Sequence, residues 1–164
     1  MAQVTLGGNA VNTNADLPAI GSPAPDFTLA GSDLGDITAA SLLGKKVILN
    51  IFPSIDTPTC ATSVRTLNER AADRDDAVVL CVSADLPFAQ GRFCGAEGIT
   101  NVVNASGFRS SFANDYGVEL VDGKLAGLMA RAVVVIDESG TVSYTQLVPE
   151  IAQEPDYDAA LAAL

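Results

Sequence analysis

Two runs of aliphatic and β-branched residues bracket a helical segment in the middle of this chain, and no other feature restricts its fold as much. Lys46 to Phe52, KVILNIF, and Ala77 to Ser83, AVVLCVS, are apolar on successive rather than alternate residues, as central strands covered on both faces must be. Between them, Cys60 to Arg74 has helical spacing, with Val64, Leu67 and Ala71 on one stripe and Cys60 at its head. A strand-helix-strand unit of this kind belongs to the α/β class, and the flanking segments extend it.

At the N-terminus, VTLGGNAV predicts a small hairpin of two short strands about Gly7-Gly8. A Pro/Gly-rich linker, DLPAIGSPAPDF, leads to a short strand near Phe27 to Leu29. Leu86 to Glu97 reads as a second helix, with Asp85 as its N-cap and Pro87 in its first turn. It is a weak helix, because Gly91 lies in its interior and Gly95 and Gly98 at its end, and an interior glycine costs about 1 kcal/mol relative to alanine. Strands are expected at Val102 to Val103, Ala130 to Ile136 and Val142 to Leu147, the last two joined by the turn Asp137-Glu138-Ser139-Gly140. A final helix, Tyr157 to Leu164, carries Tyr157, Leu161 and Leu164 on one face. These elements predict helices around a mixed central sheet. With 164 residues, 48% of them hydrophobic, and no repeat or internal linker, a single domain over 1–164 is expected.

Composition removes whole classes of function. Nine Lys+Arg against twenty Asp+Glu give a net charge of -11, which repels nucleic acid phosphates and anionic membrane surfaces and otherwise serves solubility. The N-terminal MAQVTLGGNAV lacks the features of a signal peptide and no apolar run has the length of a membrane span, so a cytoplasmic protein is expected. Three cysteines, Cys60, Cys81 and Cys94, are too few for a disulfide framework and lack CxxC spacing. The histidine count is zero, which excludes Ser-His-Asp triads, Cys-His pairs and histidine-ligated haem or zinc. If Cys60 is reactive, something other than histidine activates it, and no cofactor is expected.

The stretch PSIDTPTC, Pro53 to Cys60, follows the first central strand directly. With Thr57 as N-cap, Pro58 occupies the first helical position, where its missing N–H costs nothing, and Cys60 falls at the third. The free N–H groups and dipole of a helix start favour an anion, so Cys60 is expected to hold more thiolate at neutral pH than an ordinary thiol. The Thr57 hydroxyl is expected to accept from the Cys60 backbone N–H and to donate to a sulfur or substrate oxygen. On spacing alone a second reading stands beside this one: an ordinary helix start whose cysteine is a small buried hydrophobe. Cys81, inside AVVLCVSA, reads as core. Phe93 and Phe108 suit either an apolar entrance or the core, and Asp56 is expected to be solvated. Arg131, the sole charge in LMARAVVVI, reads by itself as a structural ion-pair residue, although a thiolate would also serve as its partner if it is buried.

Thr57-Pro58-Thr59-Cys60 stands where thioredoxin-like proteins carry CxxC, with threonine in place of the first cysteine, so CxxC dithiol exchange is excluded. Pro53, Thr57 and Cys60 match the PxxxTxxC motif of the peroxiredoxins. Together with the N-terminal hairpin, DLPFAQGRFCGAEG and the closing VPEIAQEPDYDAALAAL, the chain resembles the atypical two-cysteine subgroup of that family over essentially its whole length. The resemblance implies a thioredoxin-like fold with an N-terminal β-hairpin and an antioxidant thiol peroxidase acting on hydrogen peroxide and organic hydroperoxides, with a leaning toward the latter. It makes Cys60 the peroxidatic cysteine, which forms a sulfenic acid, and Cys94 the resolving cysteine, which closes an intramolecular disulfide with it. Thr57 and Arg131 would bind and orient the peroxide, and Pro53 would shield the thiolate. Thioredoxin as reductant and a homodimer are likewise implied. Two other readings remain: a thioredoxin-fold redox sensor or disulfide-transfer protein without peroxidase turnover, and a non-catalytic binding module in which Cys60 is inert.

Overall fold

A computed structural model describes all residues, 1–164. A two-stranded antiparallel hairpin, β1 (Gln3–Leu6) and β2 (Asn9–Asn12), turns at Gly7 and Gly8, whose positive φ angles of 58° and 83° only glycine adopts freely. The main sheet holds seven strands: β3 (Thr28–Ala30), β4 (Asp36–Thr38), β5 (Lys46–Ile51), β6 (Ala77–Ser83), β7 (Val103–Ser106), β8 (Ala132–Ile136) and β9 (Val142–Leu147). Their order is β4-β3-β7-β6-β5-β8-β9. β5, β6 and β7 run parallel, linked by helices α1 (Pro58–Ala71) and α2 (Pro87–Glu97), while β8 pairs antiparallel with both β5 and β9. The sheet is therefore mixed and helix-flanked, as expected. Two further helices, α3 (Phe112–Asp115) and α4 (Tyr157–Ala162), complete the chain, and no helix is long and apolar enough to cross a membrane.

The uninterrupted apolar run of β5 is explained by a core on each face of the sheet. Val47, Leu49 and Ile51 pack with Phe27, Phe112, Tyr116 and Val134 on one side. Ile48 and Phe52 pack with α1, α2 and α4 on the other, through Val64, Leu67, Phe93, Cys94 and Ala160. The predicted stripe of α1 is its buried face: Cys60, Val64 and Leu67 are all within 1% of full burial. β8 enters antiparallel to β5 with Ile51 opposite Ala132, so Arg131, the residue before Ala132, arrives beside the end of β5 where α1 begins.

Several boundaries differ from expectation. α1 ends at Ala71 rather than Arg74, β8 begins at Ala132 rather than Ala130, and β7 runs on to Ser106. Asp85 does not cap α2: the N-cap is Leu86, without a side-chain bond, and Pro87 at the first position needs none. The short elements β4 and α3 carry too few residues for a period to show in sequence.

Truncating Leu67 tests the docking of α1. Leu67→Ala should cost about 3 kcal/mol in urea unfolding through the cavity it leaves; a loss below about 1 kcal/mol would mean that this stripe does not anchor the helix.

Candidate active site

Between β5 and α1 the chain passes through Pro53, which is buried, and then a tight turn. The backbone N–H and the hydroxyl of Thr57 both donate to the Ser54 carbonyl, at 3.1 Å and 2.9 Å. Thr57 is the N-cap of α1 by backbone angle (φ −100°, ψ 147°), but its hydroxyl caps nothing. This corrects the expectation that it accepts from the Cys60 N–H: the side chain is turned back to close the preceding turn. The backbone N–H groups of Thr59 and Cys60 consequently donate to no protein acceptor, and the positive end of the helix stays open.

Cys60 has no exposed surface, and its sulfur accepts a hydrogen bond from Arg131 Nη2 at 3.3 Å. Arg131 is itself only 2% exposed and forms no ion pair with any carboxylate. Its Nε donates to the Ile151 carbonyl at 2.7 Å, and its Nη1 is buried without a partner. One guanidinium is thus pinned by a carbonyl, aims one nitrogen at the sulfur and leaves another free beside it. The structural ion-pair reading of Arg131 fails for want of a carboxylate, and the sulfur takes that place.

Cys94 lies on α2, buried in the same core cluster as Cys60, and both are free thiols. Its thiol donates to Asn104 Oδ1 at 3.3 Å, and burial, partly offset by that bond, raises its pKa. α2 is tied to the Cys60 segment by exposed ion pairs. Arg92 meets Asp56 at 2.7 Å, and Arg65 of α1 meets Glu97 at 2.9 Å while its guanidinium stacks 5.5 Å from the Phe93 ring. Asp56 is exposed as expected, though paired. Phe93 is buried and, with Ile55, Thr57, Pro58 and Arg65, lines a shallow groove beside the start of α1. Phe108 is 44% exposed and lies elsewhere, under Arg109.

Two polar residues shape this region: Asp85, which the sequence suggested only as a helix cap, and Asn50, which sequence reasoning passed over. The Asp85 carboxylate accepts from Ser54 Oγ (2.8 Å), the Ile55 N–H (2.7 Å) and Ser83 Oγ (2.7 Å), pinning the loop before Cys60 to the entry of α2. Asn50, fully buried in β5, donates to Ser63 Oγ at 3.2 Å, and Ser63 donates to the Cys60 carbonyl at 2.8 Å. The signal for Asn50 was visible: one amide inside KVILNIF needs a partner when buried.

Residues 19–161 match the family model described as Redoxin. The chain is 68% identical to the thiol peroxidase of Mycobacterium tuberculosis over 164 residues, 100% of this chain and 99% of that protein. It is 54% identical to the thiol peroxidase of Corynebacterium glutamicum over the same shares. A crystal structure of a peroxiredoxin-like protein from Aquifex aeolicus superposes with a TM-score of 0.94 at 40% identity, covering 99% of this chain and 95% of that one.

Cys81 gives a pH test of the core beneath the site. Burial pushes its thiol up to about 12 from 9.0, so in the folded state it keeps a proton that the unfolded chain loses first. Its contribution to stability is therefore intact below pH 9.0 and declines as pH rises from there toward about 12. Cys81→Ala should flatten that part of the alkaline stability profile; an unchanged slope would contradict the assignment.

Proposed function

The chain belongs to the redoxin family as a peroxiredoxin of the thiol peroxidase kind, and from that premise we propose that Cys60 reduces hydroperoxides and Cys94 resolves the oxidised product. The observation that carries this reading is the contact between the Cys60 sulfur and the buried, carboxylate-free Arg131. A cation enclosed without a counter-ion is costly, and the thiolate is the one anion within its reach.

In the first step the Cys60 thiolate attacks the terminal oxygen of ROOH. A sulfur–oxygen bond forms, the oxygen–oxygen bond breaks, and the alkoxide leaves as ROH with a proton, giving the Cys60 sulfenic acid. Arg131 Nη1 and the free N–H groups of Thr59 and Cys60 suit the leaving oxygen, whose charge develops beside them. Thr57 takes part in orienting the peroxide by fixing the turn, and its hydroxyl reaches substrate only by leaving the Ser54 carbonyl. Pro53, buried at the head of that turn, keeps water from the thiolate. The groove beside Phe93 and Ile55 suits an organic R group as well as hydrogen peroxide.

In the second step the Cys94 thiol condenses with the sulfenic acid, releasing water and forming the Cys60–Cys94 disulfide. A thioredoxin dithiol then returns both to thiols and is itself oxidised. Cys60 and Cys94 sit as free thiols on separate helices, each held in place by its own bonds, and the movement that joins them is assigned to an opening of α2. The helix suits that demand. Side chains added at Gly91 or Gly95 would meet nothing within 4 Å, so these glycines are not kept for packing. The ion pairs that close α2 against the Cys60 segment are exposed, and such pairs contribute only about 0–1 kcal/mol each. A cytoplasmic homodimer completes the reading, which concerns one domain over 1–164.

The deciding experiment is peroxide consumption with a thioredoxin system. Cys60→Ser should abolish it, and Cys94→Ser should leave a single turnover that stops at the sulfenic acid; a redox sensor would show no turnover in wild type, and activity surviving Cys60→Ser would overturn the assignment. In the same traces Gly91→Ala, which adds about 1 kcal/mol of helix propensity, should slow disulfide formation up to about fivefold with sulfenic acid formation unchanged. Equal resolution rates would refute the opening of α2.

A further inference from the structure

We propose that Glu150 is a positioning residue for peroxide reduction, acting through the loop that aims Arg131, and that the N-terminal hairpin is the brace against which this loop is set. The inference rests on the reading of Cys60 and Arg131 given above. Arg131 reaches the sulfur from one fixed point, the bond from its Nε to the Ile151 carbonyl. The position of that carbonyl therefore decides where Nη2 and the unpartnered Nη1 point.

Ile151 does not belong to a strand or helix, so side chains and the hairpin must hold it. The Glu150 carboxylate does this from both oxygens. Oε1 accepts from the Gly8 N–H at the hairpin turn (2.9 Å) and from Thr5 Oγ1 (3.2 Å), and Oε2 accepts from the Ala152 N–H (2.9 Å). Main-chain bonds run alongside: the Thr5 N–H donates to the Pro149 carbonyl and the Ile151 N–H to the Thr5 carbonyl, each at 2.8 Å. Beneath them Ile151 is buried with Val4 and Val11 of the hairpin and with Ala130, the residue before Arg131. The next carbonyl, that of Ala152, accepts from Thr59 Oγ1 at 3.0 Å, so the same loop also grips the residue preceding Cys60. The backbone N–H groups of Ala152 and Gly8 hold the Glu150 carboxyl below the usual carboxylate range, consistent with the ionised form making these bonds.

One carboxylate thus shapes a loop whose successive carbonyls fix the catalytic arginine and the first turn of the peroxidatic helix. A displacement of the order of 1 Å at a reacting group can cost about a hundredfold in rate, so loosening this loop should be felt at the sulfur although Glu150 touches no reacting atom.

The test is single-turnover oxidation of Cys60 by hydrogen peroxide in the full-length protein, read by mass spectrometry of quenched samples, for Glu150→Ala, Glu150→Gln, Arg131→Ala and the Glu150→Ala/Arg131→Ala pair. Glu150→Ala should slow oxidation about tenfold or more, and Glu150→Gln, which keeps one oxygen acceptor, should recover part of the loss. In the Arg131→Ala background Glu150→Ala should cost much less than in wild type, because the main group that the loop aims is gone and only its hold on Thr59 remains. Thr5→Val, which removes the hydroxyl shared between Glu150 and the Pro149 carbonyl and leaves the main-chain bonds of Thr5, should give a smaller loss in the same direction and carries the test if Glu150→Ala fails to fold. Wild-type oxidation rates in Glu150→Ala, or in both Glu150→Gln and Thr5→Val should Glu150→Ala not fold, overturn the inference, as does an equal loss with and without Arg131, which marks a merely structural role. A loss in Arg131→Ala alone overturns this inference and leaves the catalytic reading standing; no loss in either variant overturns both.

Discussion

Arg131 carries a permanent charge into the interior with no carboxylate to meet it, and much of the surrounding structure is arranged about that fact. Its partner is the sulfur of Cys60, held at the third position of α1 with the helix N–H groups open beside it. In a chain without histidine, two sources of positive potential converge on this sulfur, the guanidinium and the open end of the helix. The register of β5 and β8 creates the meeting: Ile51 opposite Ala132 brings the arginine to the end of the strand from which PSIDTPTC departs.

The two cysteines of the proposed cycle are held by contrasting means. The Cys60 segment is fixed by bonds that water reaches poorly: Ser63 to the Cys60 carbonyl, Asn50 to Ser63, and Asp85 to the loop before the helix. Cys94 sits in a helix with unpacked glycines, closed against the Cys60 segment by exposed ion pairs and by Phe93 under Arg65, and tied to the sheet by the bonds of Gln90 and of Cys94 with Asn104. Rigid placement suits the step that needs alignment with peroxide, and weak closure suits the step that needs movement. The arginine belongs with the rigid part, since its anchor at Ile151 is tied to the N-terminal hairpin.

Much of this was legible in the chain. The doubly covered strands β5 and β6, the stripe of α1, the hairpin at Gly7-Gly8 and the weakness of α2 all follow from periodicity and glycine placement, which act locally. PxxxTxxC placed Cys60 and Thr57 at the helix start, and the lone charge in LMARAVVVI marked Arg131 as a residue needing a partner. What remained hidden depends on contacts distant in sequence. Asp85 looked like a helix cap because it precedes one, yet its carboxylate is claimed by Ser54 and Ile55, thirty-one and thirty residues away. Thr57 looked like a side-chain cap, but the Ser54 carbonyl lies nearer its hydroxyl in the turn that the proline-flanked segment makes. No local pattern shows that Ile151 anchors an arginine twenty residues earlier.

The central claim, that the buried arginine and the sulfur share one charge balance, is open to a direct measurement. Single-turnover oxidation of Cys60 by hydrogen peroxide at neutral pH should be followed in a protein retaining only Cys60, with Arg131 intact and with Arg131→Met, which keeps a similar volume without the charge. The account predicts fast oxidation that slows about a hundredfold or more in Arg131→Met; the same rate in both proteins would contradict it.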